Sequence, residues 1–302
     1  MNIIKPKKLK KGDTIGILAV SGKIKEYENI KNAEKFLIKE GYSVVISDTC
    51  NTSHEYQAGK NDDDCVNALH DFFSNSKIDV ILCARGGFGT LKLLDKINWE
   101  IIKNNPKIFA GYSDITILLN MIFKKTGLIT FHSPMANGDF GQKIDEYTKQ
   151  SFFNCLEGKT SQIKADGEVY YEGRTEGILW GGNLSTLASL CGIDFIPDEE
   201  LILFLEDLNE PTYKIDKMLT QLFNIEKVRK NVRGIAIGEF KDCDKRELKN
   251  LLIEFANKHK IPMCDGFKIT HNKVKDTIPV GIKCTFNSNN RIIELKEEIF
   301  YN

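Results

Sequence analysis

At 302 residues the chain is long enough for one large or two medium domains, each with a real buried core. Hydrophobic residues make up 41% and charged residues 28%, and 42 lysines and arginines balance 42 aspartates and glutamates, so no global field favours nucleic acid. No run approaches the roughly 18 apolar residues of a membrane helix, and the apolar stretch Thr14–Val20, after the basic Lys5–Lys11 start, is too short for a secretory segment.

The first half alternates strand and helix. Thr14–Val20 is predicted as a strand, Glu28–Glu40 as an amphipathic helix stopped by Gly41, and Tyr42–Ile46 as the next strand. A helix follows over Asp62–Ser74, with acidic residues in its first turn where they suit the dipole. Ile78–Ala84 is a strand, followed by a glycine-rich turn and a helix over Thr90–Ile97. Lys107–Ala110 and Ile115–Lys125 complete another strand–helix pair. This rhythm predicts βαβ units and a mostly parallel sheet, with the ligand site beyond the carboxyl ends of its strands.

Residues 1–140 are therefore expected to form an N-terminal α/β domain. The polar stretch 141–173, with one helix near Tyr147–Leu156, is expected to link it to a C-terminal domain over 174–302. There the predicted elements are a strand over Gly177–Trp180, a helix over Leu184–Cys191 and a buried strand over Leu201–Leu205. A long helix over Pro211–Val228, a strand over Gly234–Ile237 and a helix over Lys245–His259 follow. Late strands cover Ile278–Phe286 and Arg291–Leu295.

The eight cysteines (Cys50, Cys65, Cys83, Cys155, Cys191, Cys243, Cys264 and Cys284) form no C-x-x-C pair, and no histidine sits at ligand spacing from them. No metal site is expected. Reduced, buried thiols and a cytoplasmic location are.

Four segments place polar residues at strand ends. Gly111-Tyr112-Ser113-Asp114 joins a strand to a helix and resembles a nucleophile elbow, although Ile115 stands where that pattern has its second glycine. Simple helix capping by Ser113 and Asp114 is the alternative. Ala84-Arg85-Gly86-Gly87-Phe88-Gly89 brings backbone N–H groups close to an anion or oxyanion, or is only a tight turn. Glu206 follows a buried strand, where a carboxylate can orient a histidine or complement the next helix, with Asp207 and Glu210 close behind. His271 lies in a loop between Phe267 and Ile278. His132, after a short strand, is a further pocket candidate.

The ordered segments KPKKLKKGDTIGILAVSG, ARGGFGT, AGYSDIT, FHSPMA, WGGNLSTLASLCG, LFLEDLNEPTYKIDKMLTQL, GIAIGEF and GFKITHNKVKDTIPVGI span nearly the whole chain. Together they resemble the LD-carboxypeptidase family of serine peptidases, which also contains the microcin C self-immunity hydrolases. The resemblance implies a flavodoxin-like or amidotransferase-like parallel-sheet domain followed by a smaller mixed α/β domain. It implies a Ser-Glu-His triad falling on Ser113, Glu206 and His271. The oxyanion donors would be the backbone N–H of Asp114 and one from Gly86 or Gly87.

Arg85, Trp180, Asn183 and Glu210 are the substrate-binding candidates. Trp180 and Phe88 are candidates to stack on a base, with packing at strand ends the alternative, and Arg85 to grip a carboxylate or else to shape the turn through a salt bridge to a nearby acid. The implied protein is a homodimer that needs no cofactor. Its implied substrate is a murein tetrapeptide that loses D-alanine, or alternatively a peptidyl-nucleotide antibiotic. A non-catalytic carboxylate- or phosphate-binding protein is the reading from another class. The chain departs from the family at Thr270 and Asn272, where glycines commonly flank the histidine, at Lys275 in place of asparagine, and at Lys217 in place of arginine.

Overall fold

The computed structural model describes residues 2–301 and holds two large sheets, beside a two-stranded pairing of Ser53–His54 with Gln57–Ala58. The first has six strands, in the spatial order Ile278–Val280, Thr130–His132, Ile108–Gly111, Val80–Cys83, Thr14–Leu18, Ser43–Ile46. Five run parallel, and only the edge strand Ile278–Val280 is antiparallel to its neighbour. Val80–Cys83 and Ile108–Gly111 are buried at every position, as expected of central strands covered on both faces.

The second sheet has eight strands around a parallel centre, Arg174–Asn183, Leu201–Leu208, Val232–Lys241 and Met263–Cys264, with antiparallel strands on both flanks. The buried side chains of both halves form one continuous cluster. The fold is thus mixed α/β with a parallel-sheet N-terminal half.

Several elements differ from their sequence-based outlines. Residues 141–173, expected as a linker with one helix, hold that helix at Glu146–Leu156 but also carry two strands, Gln162–Lys164 and Val169–Tyr171, that form the outer edges of the second sheet. The single strand expected over Ile278–Phe286 is two strands in different sheets, Ile278–Val280 and Lys283–Asn287. Gly281 makes the break. Its φ is +99°, and a Cβ there would lie 2.3 Å from the Phe123 ring, so neither the backbone nor the packing admits a side chain.

The helix expected over Pro211–Val228 is broken at Ile225, whose ψ of 118° is extended. Thr212–Asn224 and Glu226–Asn231 lie on either side, and the Arg229 guanidinium donates to the Phe223 carbonyl at the break (2.7 Å). Only a short 3-10 turn, Thr90–Leu93, forms where a helix to Ile97 was expected, because the N–H and hydroxyl of Thr90 are drawn to Asp114.

Candidate active site

The strands of both sheets end around one region. From the first sheet, Ser113 follows Ile108–Gly111 and Arg85 follows Val80–Cys83. From the second, Glu206 lies within Leu201–Leu208, and His271 is in the loop beyond Met263–Cys264. The helix after the serine, Thr116–Thr126, couples the two sheets. Asn120 donates to the Gly181 carbonyl (2.9 Å), and the Thr116 hydroxyl accepts from the Asn183 N–H (3.2 Å). Asn183 is the cross-strand neighbour of Glu206, so the serine turn and the glutamate strand share one rigid seam.

Ser113 has φ +64°, a left-handed conformation that a non-glycine residue adopts only when its surroundings enforce it. The enforcement comes from Asp114. Its buried carboxylate accepts from the Ser21 hydroxyl (2.6 Å), the Thr90 N–H (3.1 Å) and the Thr90 hydroxyl (3.0 Å), and its carbonyl accepts from that same hydroxyl (2.8 Å). Asp114 thus fastens the turn to the ends of two neighbouring strands. Ser21 and Thr90 carry no pattern of their own in the sequence and were not among the candidates.

His271 and Glu206 meet. Nδ1 of the imidazole stands 2.6 Å from Glu206 Oε2, and the Glu206 side chain is fully buried. Burial pushes the Glu206 carboxyl above its ordinary range, and the hydrogen bond to His271 pulls the other way. Among the described residues, the other ring nitrogen of His271, Nε2, is buried without a hydrogen-bond partner. The ring packs edge-on against Tyr112 at 5.0 Å, next to the serine in the chain. A buried ion pair backs Tyr112: Lys275 Nζ lies 4.1 Å from the ring centroid and 2.8 Å from Asp139 Oδ1. Lys275 therefore has its ammonium engaged inside the protein. His132 is buried beside Tyr112, and burial, with His271 and Lys275 adding to it, lowers its pKa to about 3, so it stays neutral.

The neighbouring carboxylates are committed elsewhere. Asp207 accepts from Asn183 Nδ2 (2.9 Å) and the Ser185 N–H (2.8 Å), and Glu210 pairs with Lys214 (3.5 Å). Two substrate-binding candidates are not presented to a ligand. Trp180 is 1% exposed, its ring tilted against Phe195 in the core, so it offers no face to a base. Asn183 is buried and caps the helix Leu184–Ser189, its side-chain oxygen accepting from the Thr186 N–H (3.0 Å) while its amide holds Asp207. Arg85 donates to the carbonyls of Lys23 (2.8 Å) and Gly86 (3.1 Å). Phe88 is 48% exposed, in edge contact with Tyr56, and the two border a cavity of about 480 Å³ together with Arg85, Lys23 and Lys25. Lys217 is exposed on the helix Thr212–Asn224.

A serine held in a strained strand-to-helix turn, at the meeting of two α/β halves of which the second supplies a histidine bonded to a buried glutamate, defines a serine peptidase class. The family comparison is specific. Residues 15–133 match the LD-carboxypeptidase N-terminal domain and residues 176–286 its C-terminal domain. The chain belongs to the LD-carboxypeptidase family and is a serine-type carboxypeptidase.

Among its relatives is a probable murein peptide carboxypeptidase of Bacillus subtilis, 36% identical over 94% of this chain and 92% of the relative. The microcin C7 self-immunity protein MccF of Escherichia coli is 29% identical over 95% and 94%. A solved structure of MccF without ligand superposes with a TM-score of 0.89 at 26% identity, covering 99% of this chain and 100% of that one. The muramoyltetrapeptide carboxypeptidase of Oxalobacter formigenes gives 0.83 at 26%, covering 93% and 97%.

Proposed function

We propose that the enzyme releases D-alanine from a murein tetrapeptide, where it is attached to a diamino acid, with Ser113 as nucleophile, His271 as general base and Glu206 as the group that orients the imidazole. The observation that carries this reading is the His271–Glu206 hydrogen bond, which leaves Nε2 without a protein partner on a ring flanking the serine turn. A histidine so held is a base of fixed tautomer.

Ser113 Oγ attacks the scissile carbonyl as its proton passes to His271 Nε2. Glu206 stabilises the imidazolium through Nδ1–H. The backbone N–H of Asp114 and that of Gly86 or Gly87 receive the oxyanion, each such donor being worth about 2.7–4 kcal/mol. Imidazolium then protonates the leaving amine, and water hydrolyses the acyl-enzyme by the same route in reverse. The chemistry needs no metal or organic cofactor.

A second substrate reading is the amide bond of a peptidyl-nucleotide conjugate, favoured by the close superposition on MccF, which has been solved with aspartyl sulfamoyl adenosine. The burial of Trp180 speaks against base stacking at that residue. We place the enzyme in the cytoplasm, in the recycling of wall peptides and as a homodimer. Unpaired cysteines, six of them buried, fit a reducing compartment, and among the described residues no helix is long and apolar enough to cross a membrane.

The test incubates the purified protein with a murein tetrapeptide and, separately, with an aspartyl sulfamoyl nucleoside, and follows free D-alanine or aspartate by mass spectrometry. A fluorophosphonate should label Ser113 in the wild type and not in Ser113→Ala. Release of D-alanine by the wild type alone supports the first reading. Cleavage of the nucleotide conjugate alone replaces it with the second, and neither cleavage nor labelling would leave a binding protein.

A further inference from the structure

The loop that carries His271 has no regular secondary structure between Cys264 and Ile278, so its geometry depends on what it is tied to. Its backbone is attached to the strand Val232–Lys241 at two points, Phe267 N–H to the Ile237 carbonyl (3.4 Å) and Glu239 N–H to the Ile269 carbonyl (2.9 Å). Beyond Ile269 the attachment to this strand passes to one side chain, while Thr148 holds the later part of the loop at Lys273 and Lys275. Glu239 Oε2 accepts from the Thr270 hydroxyl and from Asn272 Nδ2 (2.5 Å), and the Asn272 N–H closes onto the Thr270 oxygen (2.9 Å). The residues on either side of His271 are thus held by a single carboxylate oxygen.

We propose that Glu239 is a positioning residue for His271: it clamps Thr270 and Asn272 so that the imidazole is presented at the angle that lets Nδ1 meet Glu206 while the ring packs against Tyr112, next to the serine, with Nε2 unpaired among the described residues. The inference rests on the reading of His271 as the general base. Where glycines would let the loop follow its backbone alone, this chain has two side chains with donors, and Glu239 is the acceptor that both require. Without it, the hydroxyl proton of Thr270, a residue only 4% exposed, would lose its acceptor, a cost that favours a shifted loop. A small displacement of a catalytic group of this kind costs on the order of a hundredfold in rate.

The decisive variants are Glu239→Ala, Glu239→Gln and the double change Thr270→Val with Asn272→Ala, each assayed for kcat and KM on the murein tetrapeptide and for Tm, beside His271→Ala. A glutamine side-chain oxygen can accept both hydrogen bonds, so Glu239→Gln should keep kcat within about threefold. Glu239→Ala and the double variant should each lower kcat by about a hundredfold with KM within about twofold. If Glu239→Ala does not fold, the double variant carries the test. Full kcat in the double variant overturns the clamp.

A rise in KM at unchanged kcat also overturns it. Glu239, Thr270 and Asn272 line a surface cavity of about 1090 Å³, and that result would make them substrate contacts instead. The control separates the two levels. An active His271→Ala sinks the general-base reading itself, whereas an inactive His271→Ala beside a fully active Glu239→Ala sinks only the clamp.

Discussion

A Cβ placed on Gly86 would stand 2.7 Å from the Cβ of Ser113 and 2.9 Å from its Oγ, so the turn after one strand is shaped to the serine after the next. Contacts that short are relieved only by moving the serine turn or the glycine turn. Gly86→Ala should therefore lower kcat by about a hundredfold while the protein still folds cooperatively. Steady-state kinetics with a thermal melt check it, and an active Gly86→Ala enzyme would mean that the two turns are not in register for catalysis.

Glu206→Gln should be far more damaging to turnover than Asp207→Asn. An amide at 206 removes the charge that stabilises the imidazolium and can leave the wrong tautomer. The equivalent change in another serine peptidase costs about 10⁴ in kcat. Asp207, bonded to Asn183 and Ser185, should affect stability more than kcat. The comparison is made at saturating substrate, and equal losses in kcat would count against Glu206 as the orienting group.

Arg85→Lys tests whether this arginine reads the substrate carboxylate or holds the turn. Its Nη1 and Nε are engaged by the carbonyls of Lys23 and Gly86, which a lysine cannot bridge in the same plane. We expect turnover of a free-acid peptide and of its C-terminal amide to fall by similar factors, with a lower Tm. A loss confined to the acid substrate would assign Arg85 to carboxylate recognition.

The buried Lys275–Asp139 pair beneath Tyr112 makes a stability prediction. Lys275→Met leaves the Asp139 carboxylate 9% exposed and without its cation, a change that typically costs about 3–5 kcal/mol. Adding Asp139→Asn should recover most of that loss in chemical denaturation. If the double variant is no more stable than Lys275→Met, the charge was not the source of the cost.

His132 sets part of the acid limb of stability. Its folded pKa of about 3 lies below its ordinary 6.5, chiefly through burial. Between these values the unfolded chain binds a proton that the folded chain does not. Its contribution to stability is therefore fully present above pH 6.5 and lost as the pH falls toward 3, by up to ~1.4 kcal/mol per pH unit. His132→Phe keeps a ring against Tyr112 and Phe204 and removes this titration. Denaturation at pH 7, 6, 5 and 4 should give a shallower decline for the variant, and parallel curves would refute the assignment.

Local pattern was enough to read the βα rhythm of the first half, and Asp62–Ser74 was legible to the residue, because a start of Asn61 and three aspartates and a helical apolar stripe are encoded within one segment. The same holds for the placement of Ser113 and His271 beyond strands, and for membership of the family, which ordered motifs along the whole chain carry; Glu206, expected just after a strand ending at Leu205, lies instead within the longer strand Leu201–Leu208, whose ladder continues through it to Asn183. What no local pattern encodes is which distant side chains share a partner. The Glu206–His271 hydrogen bond spans 65 positions, and the clamp from Glu239 to Thr270 and Asn272 spans 31 and 33.

Burial likewise follows from packing between elements. Trp180 and Asn183 look available in a glycine-containing segment, yet the strand Arg174–Asn183 runs straight through those glycines into the core, and the helix Thr116–Thr126 closes over it. The split of the last strands at Gly281 between two sheets, too, was decided by tertiary structure. One positive φ sends the chain from one sheet to the other, and only the assembled sheets offer both edges for it to join.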